Sequence, residues 1–387
     1  MRRLGALLAA LVLVAGLPAC TSLGALPVVT ILHPWSGAEA EAFEKILDAL
    51  DDDAPYRIRA VGTSSYRQVL ELGRAQGEPV DIVVMPSLGE LAEYVRQGLV
   101  QPITATDHPY PWRTWERLGV ADGKQYGVAV KAQLKSITWA KGPGDEWCMG
   151  VGDASAPGWP GTDWVEDVLL RDAGPETYRD WASGKVAWTD DRVRAAWSTW
   201  LGDYVAKVRG GAEAVLLNRF ADPATGPPLL DPRGTCRQDR RSSYVLGDYG
   251  AFTARRFDRG GGVVVSADFA ALVTEGAAAT SVLTKLASRD TQLRWLTSGS
   301  GFPVDPAVRR DGGTGAAALI ESTLARSDAL CFDASDLMPV TRRTAFEQAV
   351  LAVLADPSRL PDVLDRLDRI AAGVTGTGLD LPCATAR

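Results

Sequence analysis

The fold is decided near the N-terminus by the stretch VVTILHPWSGAE, residues 28–39. Its first five residues are apolar or β-branched and predict a buried strand. Ser36 and Glu39 then fit a capping box, the pattern in which an N-cap serine and a glutamate three residues later open a helix. Phe43, Ile46 and Leu47 follow at helical spacing. The stretch therefore predicts a strand that leads directly into an amphipathic helix.

The same order recurs twice in the next 60 or so residues. Residues 56–61 alternate like a strand, and a helix begins near Tyr66 and closes near Gly77. Residues 80–85 form another apolar run, and a second capping box at Ser87 opens a helix that ends before Gly98. Alternating strands and helices of this kind predict an α/β fold with a doubly wound parallel sheet.

This topology predicts where a ligand binds. In open parallel sheets, ligands lie beyond the carboxyl ends of the strands, where helix N-termini present free N–H groups. Those ends are residues 33–39, 62–66 and 85–89, which contain Trp, Ser, Thr and Gly. We therefore expect the binding site at this edge.

The remaining sequence predicts a second region of mixed structure. One or two strands are expected over 127–139, a Gly-, Pro- and Trp-rich loop over 142–162, long loops over 209–243 and a strand over 263–265. The apolar spacing predicts helices around 193–204, 277–296, 314–328, 343–355 and 359–372.

Length and composition restrict the class of protein. A chain of 387 residues exceeds one hydrophobic core, so two domains are expected. Hydrophobic residues make up 46% and charged residues 23%, as in folded soluble proteins. The net charge of -7 argues against nucleic-acid binding, because the phosphates would be repelled.

The N-terminus has the features of an export signal. Arg2 and Arg3 precede an uncharged run over 4–17, which is too short to span a bilayer as a stable helix. The run ends in Leu17-Pro18-Ala19-Cys20, which resembles a bacterial lipobox. We predict a signal peptide over 1–19 and a lipid on Cys20, which would anchor the exported protein to the outer face of the cytoplasmic membrane or hold it in the periplasm. Cleavage at another position is the alternative.

Four further cysteines suggest two disulfides in an oxidising compartment. Three pairings are open to Cys148, Cys236, Cys331 and Cys383, and we predict Cys148–Cys236 and Cys331–Cys383. Buried free thiols are the alternative. We expect no metal, because there is no Cys-x-x-Cys pair and the only histidines are His33 and His108.

Motifs of catalysis are missing from the sequence. It contains neither Gly-x-Ser-x-Gly nor Ser-x-x-Lys, and Gly260-Gly261-Gly262 precedes a strand instead of opening a helix. Asp190 and Asp191 could imitate a glycosidase pair, but adjacent acids at a helix start more often serve as caps. We therefore predict a protein that is not an enzyme and uses no cofactor.

Tryptophan is the unusual residue, with 12 copies. An indole is a costly core filler because its N–H needs a partner, but its face suits the apolar face of a pyranose ring. Trp197, Trp200 and Trp295 are predicted to lie in the core. Trp35 follows a strand end and is predicted to face a ligand cleft. Trp159 and Trp164 are predicted to lie in a loop, with core and cleft positions about equally favoured.

Six blocks occur in order over about 30–370. They are Trp35-Ser36-Gly37, Asp81-Ile82-Val83-Val84-Met85-Pro86, Leu91-Ala92-Glu93-Tyr94 with Gly98-Leu99-Val100-Gln101-Pro102, Gly158-Trp159-Pro160-Gly161-Thr162-Asp163-Trp164, Ser300-Gly301-Phe302-Pro303, and Phe332-Asp333-Ala334-Ser335-Asp336-Leu337-Met338-Pro339. Together these blocks resemble the extracellular solute-binding protein family 1, the carbohydrate-binding components of ABC importers. The similarity is greatest to members described as alpha-glucoside or oligosaccharide binders.

The resemblance implies a periplasmic-binding-protein-like type II fold, in which two α/β lobes joined by hinge crossovers enclose a central cleft. The implied lobes are 26–129 with 263–308, and 130–262 with 309–387. It also implies a sugar or oligosaccharide ligand, with ABC permease subunits and their ATPase as partners. The residues implied to line the cleft are Trp35, Ser36, Gly37, Ser64, Tyr66, Ser87, Trp159, Asp163, Trp164 and Phe302. We expect a solvent-filled gap floored by indole faces.

The sequence departs from the family between Trp139 and Trp147. Relatives usually carry a few dozen extra residues at this point, whereas only residues 140–146 lie between them here. The second lobe is therefore shortened, which affects one wall of the cleft. Three alternatives follow: the same fold binding an amino acid, peptide or polyamine; a paralogue that binds no ligand; and a lipid-anchored enzyme.

Overall fold

The structure is a computed structural model. It describes residues 26–387 except 53, 104–117, 122, 154–155, 221–229, 231–233, 258–260, 306, 311–312, 327–328, 374–382 and 385–387. The predicted signal peptide, Cys20 and His108 lie outside the described residues.

The N-terminal half of the main sheet alternates with helices, as predicted. Its strands are β1 (Val28–His33), β2 (Arg57–Gly62) and β3 (Ile82–Met85), which alternate with helices α1 (Gly37–Asp51), α2 (Tyr66–Gln76) and α3 (Leu88–Arg96). Strand β1 pairs in parallel with both β2 and β3. Phe43, Ile46 and Leu47 of α1 are buried, because helical spacing places them on the face that covers the sheet.

Two long strands extend the sheet and give it mixed character. Strand β11 (Val263–Leu272) runs antiparallel to β3 and to β6 (Gly127–Leu134), and parallel to β12 (Leu330–Phe332). The seven strands follow the order β13-β12-β11-β3-β1-β2, with β6 on β11, where β13 is Cys383–Ala384. The fold class is therefore α/β as predicted, although the sheet is parallel only in part.

The other strands form a four-stranded sheet in the order β10-β7-β9-β8 and a two-stranded one. Their bounds are β4 (Val120–Ala121), β5 (Lys124–Gln125), β7 (Ile137–Ala140), β8 (Trp147–Cys148), β9 (Gln238–Arg240) and β10 (Thr253–Arg256). The remaining helices are α4 (Trp159–Ala182), α5 (Asp191–Thr199), α6 (Gly211–Leu217), α7 (Leu246–Tyr249), α8 (Ala277–Leu286), α9 (Arg289–Ser298), α10 (Gly315–Arg326), α11 (Ala334–Leu337), α12 (Val340–Ala355) and α13 (Leu360–Gly373).

Four predicted segments differ from the structure. Trp159 and Trp164 belong to α4 and not to a loop, because Pro160 in the first turn suits a helix start. The predicted loops over 209–243 contain α6 and β9. The predicted helix over 277–296 is two helices, and the Ser288 side chain accepts from the Thr291 N–H to open the second. The Ser36 side chain makes no capping bond, and Glu39, the other residue of the predicted capping box, binds Lys131.

Buried apolar side chains form two clusters. The first contains residues from β1, β3, β6 and α1, and the second contains residues from α4, α5, α12 and α13. Strand β11 contributes to both, because Val263 and Val264 point to opposite faces. Trp197, Trp200 and Trp295 are fully buried, which confirms their predicted core positions.

Two disulfides fasten the chain. They join Cys148 to Cys236 and Cys331 to Cys383, the pairings expected from the sequence. The second attaches β13 to β12. No helix in the described part of the chain is both long and apolar enough to cross a membrane.

Candidate functional site

The candidate site is built on one polar face of strand β6 and the residue that follows it. Lys131, Gln133 and Lys135 are spaced by two, so their side chains leave the strand on the same side. All three are buried, with exposed fractions of 0%, 8% and 8%. Burial of two ammonium groups on a strand is expensive unless carboxylates pair with them. The surroundings of this face are therefore acidic.

Lys135 gathers three carboxylates from distant parts of the chain. Its Nζ lies 3.1 Å from Asp163 Oδ2, 2.9 Å from Asp333 Oδ2 and 4.0 Å from Asp336 Oδ2. These charges raise the pKa of Lys135 well above its ordinary value, although burial opposes the rise. Asp163 lies in α4, Asp333 directly precedes α11, and Asp336 lies in α11. Lys135 therefore holds both helices at the end of β6.

Trp159 is the indole that stays partly open to solvent at this site. It begins α4 and is half-buried. Its ring lies 5.4 Å from Lys135 Nζ and packs against Phe220 at 4.5 Å between ring centroids, close to perpendicular. A cation beside an indole leaves the rest of the ring surface apolar. Trp159 thus offers an aromatic surface next to a charged cluster.

Tyr244 completes this part of the site. It is half-buried, and burial raises the pKa of its hydroxyl. The charge of Arg241 opposes this rise in the pKa. Nearby, the Ser242 hydroxyl donates to Gln133 Oε1 over 2.7 Å. The arrangement can accept and donate several hydrogen bonds beside an aromatic face.

A second charged group lies behind Lys135. Arg240 pairs with Asp167 and lies 3.6 Å from Asp163. Burial raises the pKa of Asp163 to about 6, while Lys135 and Arg240 act to lower it. The Ser136 hydroxyl also donates to Asp167. Asp163 and Asp167, one helical turn apart on α4, are thus both paired within the protein.

A third group joins α3 to α12. The carboxylate of Glu90 accepts from Tyr66 and binds both Arg67 and Arg343. Burial favours the neutral acid, but Arg343 and Arg67 hold the pKa of Glu90 below its ordinary value. Ser87 adds a bond of 3.0 Å from its hydroxyl to the Asp336 carbonyl oxygen. The carboxyl edge of the sheet is therefore in direct contact with residues 336–343.

The residues predicted to line the cleft differ in exposure. Ser36, Gly37 and Ser64 are exposed at the carboxyl ends of β1 and β2, as expected for a cleft edge. Trp159 is half-buried. Those enclosed by other side chains are Trp35, Tyr66, Ser87, Asp163, Trp164 and Phe302. The ligand roles of all ten remain predictions.

Burial disfavours three of the aromatic assignments. Trp164 is 3% exposed and packs on Trp147 and Phe257, inside the second cluster. Phe302 is fully buried and borders a cavity of about 170 Å³. Trp35 is 5% exposed, and its indole N–H donates to Asp268 over 3.2 Å. The indole faces are turned inward to a greater extent than the sequence predicts.

Sequence reasoning missed the polar face of β6, and of its carboxylate partners only Asp163 was among the predicted cleft residues. The signal for the polar face was present in the alternation of Lys131, Gln133 and Lys135 after an apolar run. The pairings with Asp268 and Asp333 could not be found from the sequence, because these two residues lie far along the chain. Among the described residues, no group of three or more His, Cys, Asp or Glu side chains is arranged to hold a metal ion.

Comparisons with known proteins identify relatives that bind solutes. The chain is 26% identical over 259 residues to the alpha-glucosides-binding periplasmic protein AglE of Rhizobium meliloti (strain 1021), a match covering 56% of each protein. It is 27% identical over 251 residues to the osmoprotective compounds-binding protein GgtB of Synechocystis sp. (strain ATCC 27184 / PCC 6803 / Kazusa), covering 56% of the chain and 59% of GgtB. The chain thus spans less than two thirds of either relative. No family model matches the chain.

The fold is shared with solved structures. A chitin oligosaccharide binding protein superposes with a TM-score of 0.69 at 14% identity, covering 89% of this chain and 98% of that one. The fold is therefore that of the two-lobed periplasmic binding proteins. Within that class, the curated relatives confirm the resemblance to the family 1 solute-binding proteins.

Proposed function

We propose that the chain is the substrate-binding lipoprotein of an ABC importer, which captures a sugar or oligosaccharide between two lobes and delivers it to a membrane permease. The observation that carries the proposal is the likeness to AglE together with a half-buried indole, Trp159, set among hydrogen-bonding side chains. An indole face and several polar groups form the usual combination for binding a pyranose ring.

The proposed mechanism is a population shift. Lobes 26–129 with 263–308 and 130–262 with 309–387 would separate in an open form and meet in a closed one. A solute that contacts both lobes favours the closed form by its differential affinity. The permease then binds the closed surface. The chain acts as a binding component and performs no catalysis in this proposal.

The test is a titration of the mature protein with glucosides, maltodextrins, other oligosaccharides and neutral osmolytes. We expect a change in tryptophan fluorescence and a higher melting temperature with at least one neutral sugar or polyol. No response across the panel would contradict the proposal. Hydrolysis of any glycoside would instead favour a lipid-anchored enzyme.

Anchoring is tested separately. In bacteria that express the full chain, we expect the protein in the membrane fraction and Cys20→Ser to release it or block its processing. Equal fractionation of the two proteins, with both processed to the same size, would contradict lipidation at Cys20.

A second candidate is a paralogue that binds no solute. The observation that favours it is the internal pairing of the described site charges, above all Glu90 with Arg343. Such pairing leaves fewer groups for a ligand and holds α3 against α12. The same titration separates the two candidates, because only the first predicts a response.

A further inference from the structure

We infer that Lys131 is a built-in occupant of an aromatic cage, and that it excludes cationic solutes from that cage. The inference rests on the proposed binding function for its biological meaning, but its structural claim is tested independently. It assigns Lys131 as a specificity-determining residue for a solute without positive charge.

Two indoles enclose the Lys131 ammonium. Its Nζ lies 4.4 Å from the ring centroid of Trp35 and 4.6 Å from that of Trp295. The two indole rings are 5.0 Å apart between centroids and inclined by 71°. A cation within about 6 Å of a ring centroid is attracted by the electron-rich face. Both rings therefore stabilise the same ammonium.

Acidic and carbonyl oxygens complete the cage. Glu39 binds the ammonium directly, Asp268 Oδ2 lies 3.3 Å from Nζ, and the Ser300 carbonyl oxygen accepts from it over 3.4 Å. Asp268 is also held by the Trp35 indole N–H. Two indoles and two carboxylates form the set of groups that binds an organic ammonium ion. Here the ammonium belongs to the protein.

The backbone beside the cage is adapted to the lysine. A Cβ added at Gly301 would lie 2.8 Å from Lys131 Cδ and 3.3 Å from Trp295 Cε3. Any side chain there would displace the lysine stem or the indole. Gly301 therefore allows Lys131 to extend fully into the cage, with no part of its side chain exposed.

Because Lys131 already occupies the cage, the cage affects which solutes the protein can bind. A tethered ammonium has already lost its translational freedom, so a free cation in solution competes poorly with it. Its charge also repels a cation that approaches Glu39 from the solvent, to which 15% of the Glu39 side chain is exposed. An amine-binding protein would need this cage empty. The occupied cage instead favours neutral solutes, which bind through groups such as Trp159 and Tyr244.

The test removes the tethered ammonium and supplies a free one. Lys131→Ala deletes four atoms that n-propylammonium chloride replaces in shape and charge. We expect the variant to melt at a lower temperature than wild type, and 50 mM n-propylammonium chloride to raise its Tm by about 2 °C or more relative to 50 mM sodium chloride. Wild type and the surface control Lys45→Ala should show no such difference.

Each of these measurements has an outcome that would contradict the inference. A Lys131→Ala variant that gains no stability from n-propylammonium, or that stays unfolded in both salts, would overturn the inference. Choline or putrescine binding to wild type with a Kd below about 1 mM would also overturn it, because the cage would then be accessible. Rescue of the variant without any sugar response in wild type would leave the cage inference standing and defeat the proposed function alone.

Discussion

The guanidinium of Arg343 on α12 binds the carboxylate of Glu90 in the first turn of α3, and neither side chain is more than 7% exposed. The two residues are 253 positions apart, so the pair joins the carboxyl edge of the N-terminal sheet to the C-terminal helices. Arg67 and Tyr66 bind the same carboxylate. One buried glutamate therefore holds three elements together.

This arrangement predicts a large effect of Glu90→Gln. Removal of this buried charge takes the carboxylate away from Arg67 and leaves Arg343 with the more distant Glu347, 3.7 Å away, so we expect a loss of about 3 kcal/mol in the free energy of unfolding. Urea denaturation measures it. The control is Glu93→Gln on the same helix, whose pair with Arg96 is exposed and should be worth less than about 1 kcal/mol. Equal losses from the two substitutions would show that the cluster contributes little.

Trp159→Ala separates ligand contact from core packing. Because Trp159 is half-buried at a helix start, we expect the variant to fold and its Kd for the captured sugar to rise about tenfold or more. Fluorescence titration measures the Kd. Trp197→Ala is the matched control, since full burial predicts a loss of about 3–5 kcal/mol in stability. If the sugar affinity of Trp159→Ala were unchanged, Trp159 would not be a ligand-binding residue.

Trp35→Ala and Trp164→Ala test the inward-facing indoles. The sequence predicts that they lose ligand while keeping their fold, whereas their burial predicts that they lose stability, by about 3 kcal/mol or more. Thermal unfolding of both variants, measured beside the titration, decides between the two. A stable variant that no longer binds sugar would restore the predicted ligand role.

His33 makes stability depend on pH. Burial, and then the charge of Lys131, lower the pKa of His33 from 6.5 to about 4. The unfolded chain therefore binds the proton first, and stability falls as the pH drops from 6.5 towards 4. Relative to His33→Gln, we expect wild type to lose about 3 kcal/mol between pH 7 and pH 4, measured by urea denaturation at each pH. Parallel stability curves would contradict a buried neutral imidazole.

The disulfides should stabilise the chain through its unfolded state. Cys331 and Cys383 are 52 residues apart, and closing such a loop is worth up to about 4 kcal/mol in the chain-entropy model. We expect Cys331→Ala with Cys383→Ala to lower Tm and to remove one of two bridges detected by mass spectrometry. An increase in the mass of the wild-type protein after alkylation without reduction would instead mean that these thiols are unpaired.

Apolar spacing and helix caps are local features, so the amino-acid sequence was enough to predict the strand–helix order of residues 28–98. It also determined the core positions of Trp197, Trp200 and Trp295. The surroundings of Trp35 and Glu90, in contrast, are visible only in the folded protein. Their partners, Asp268 and Arg343, lie hundreds of residues further along the chain. A buried charge needs a partner of opposite charge, but the local sequence pattern does not show which residue that partner is.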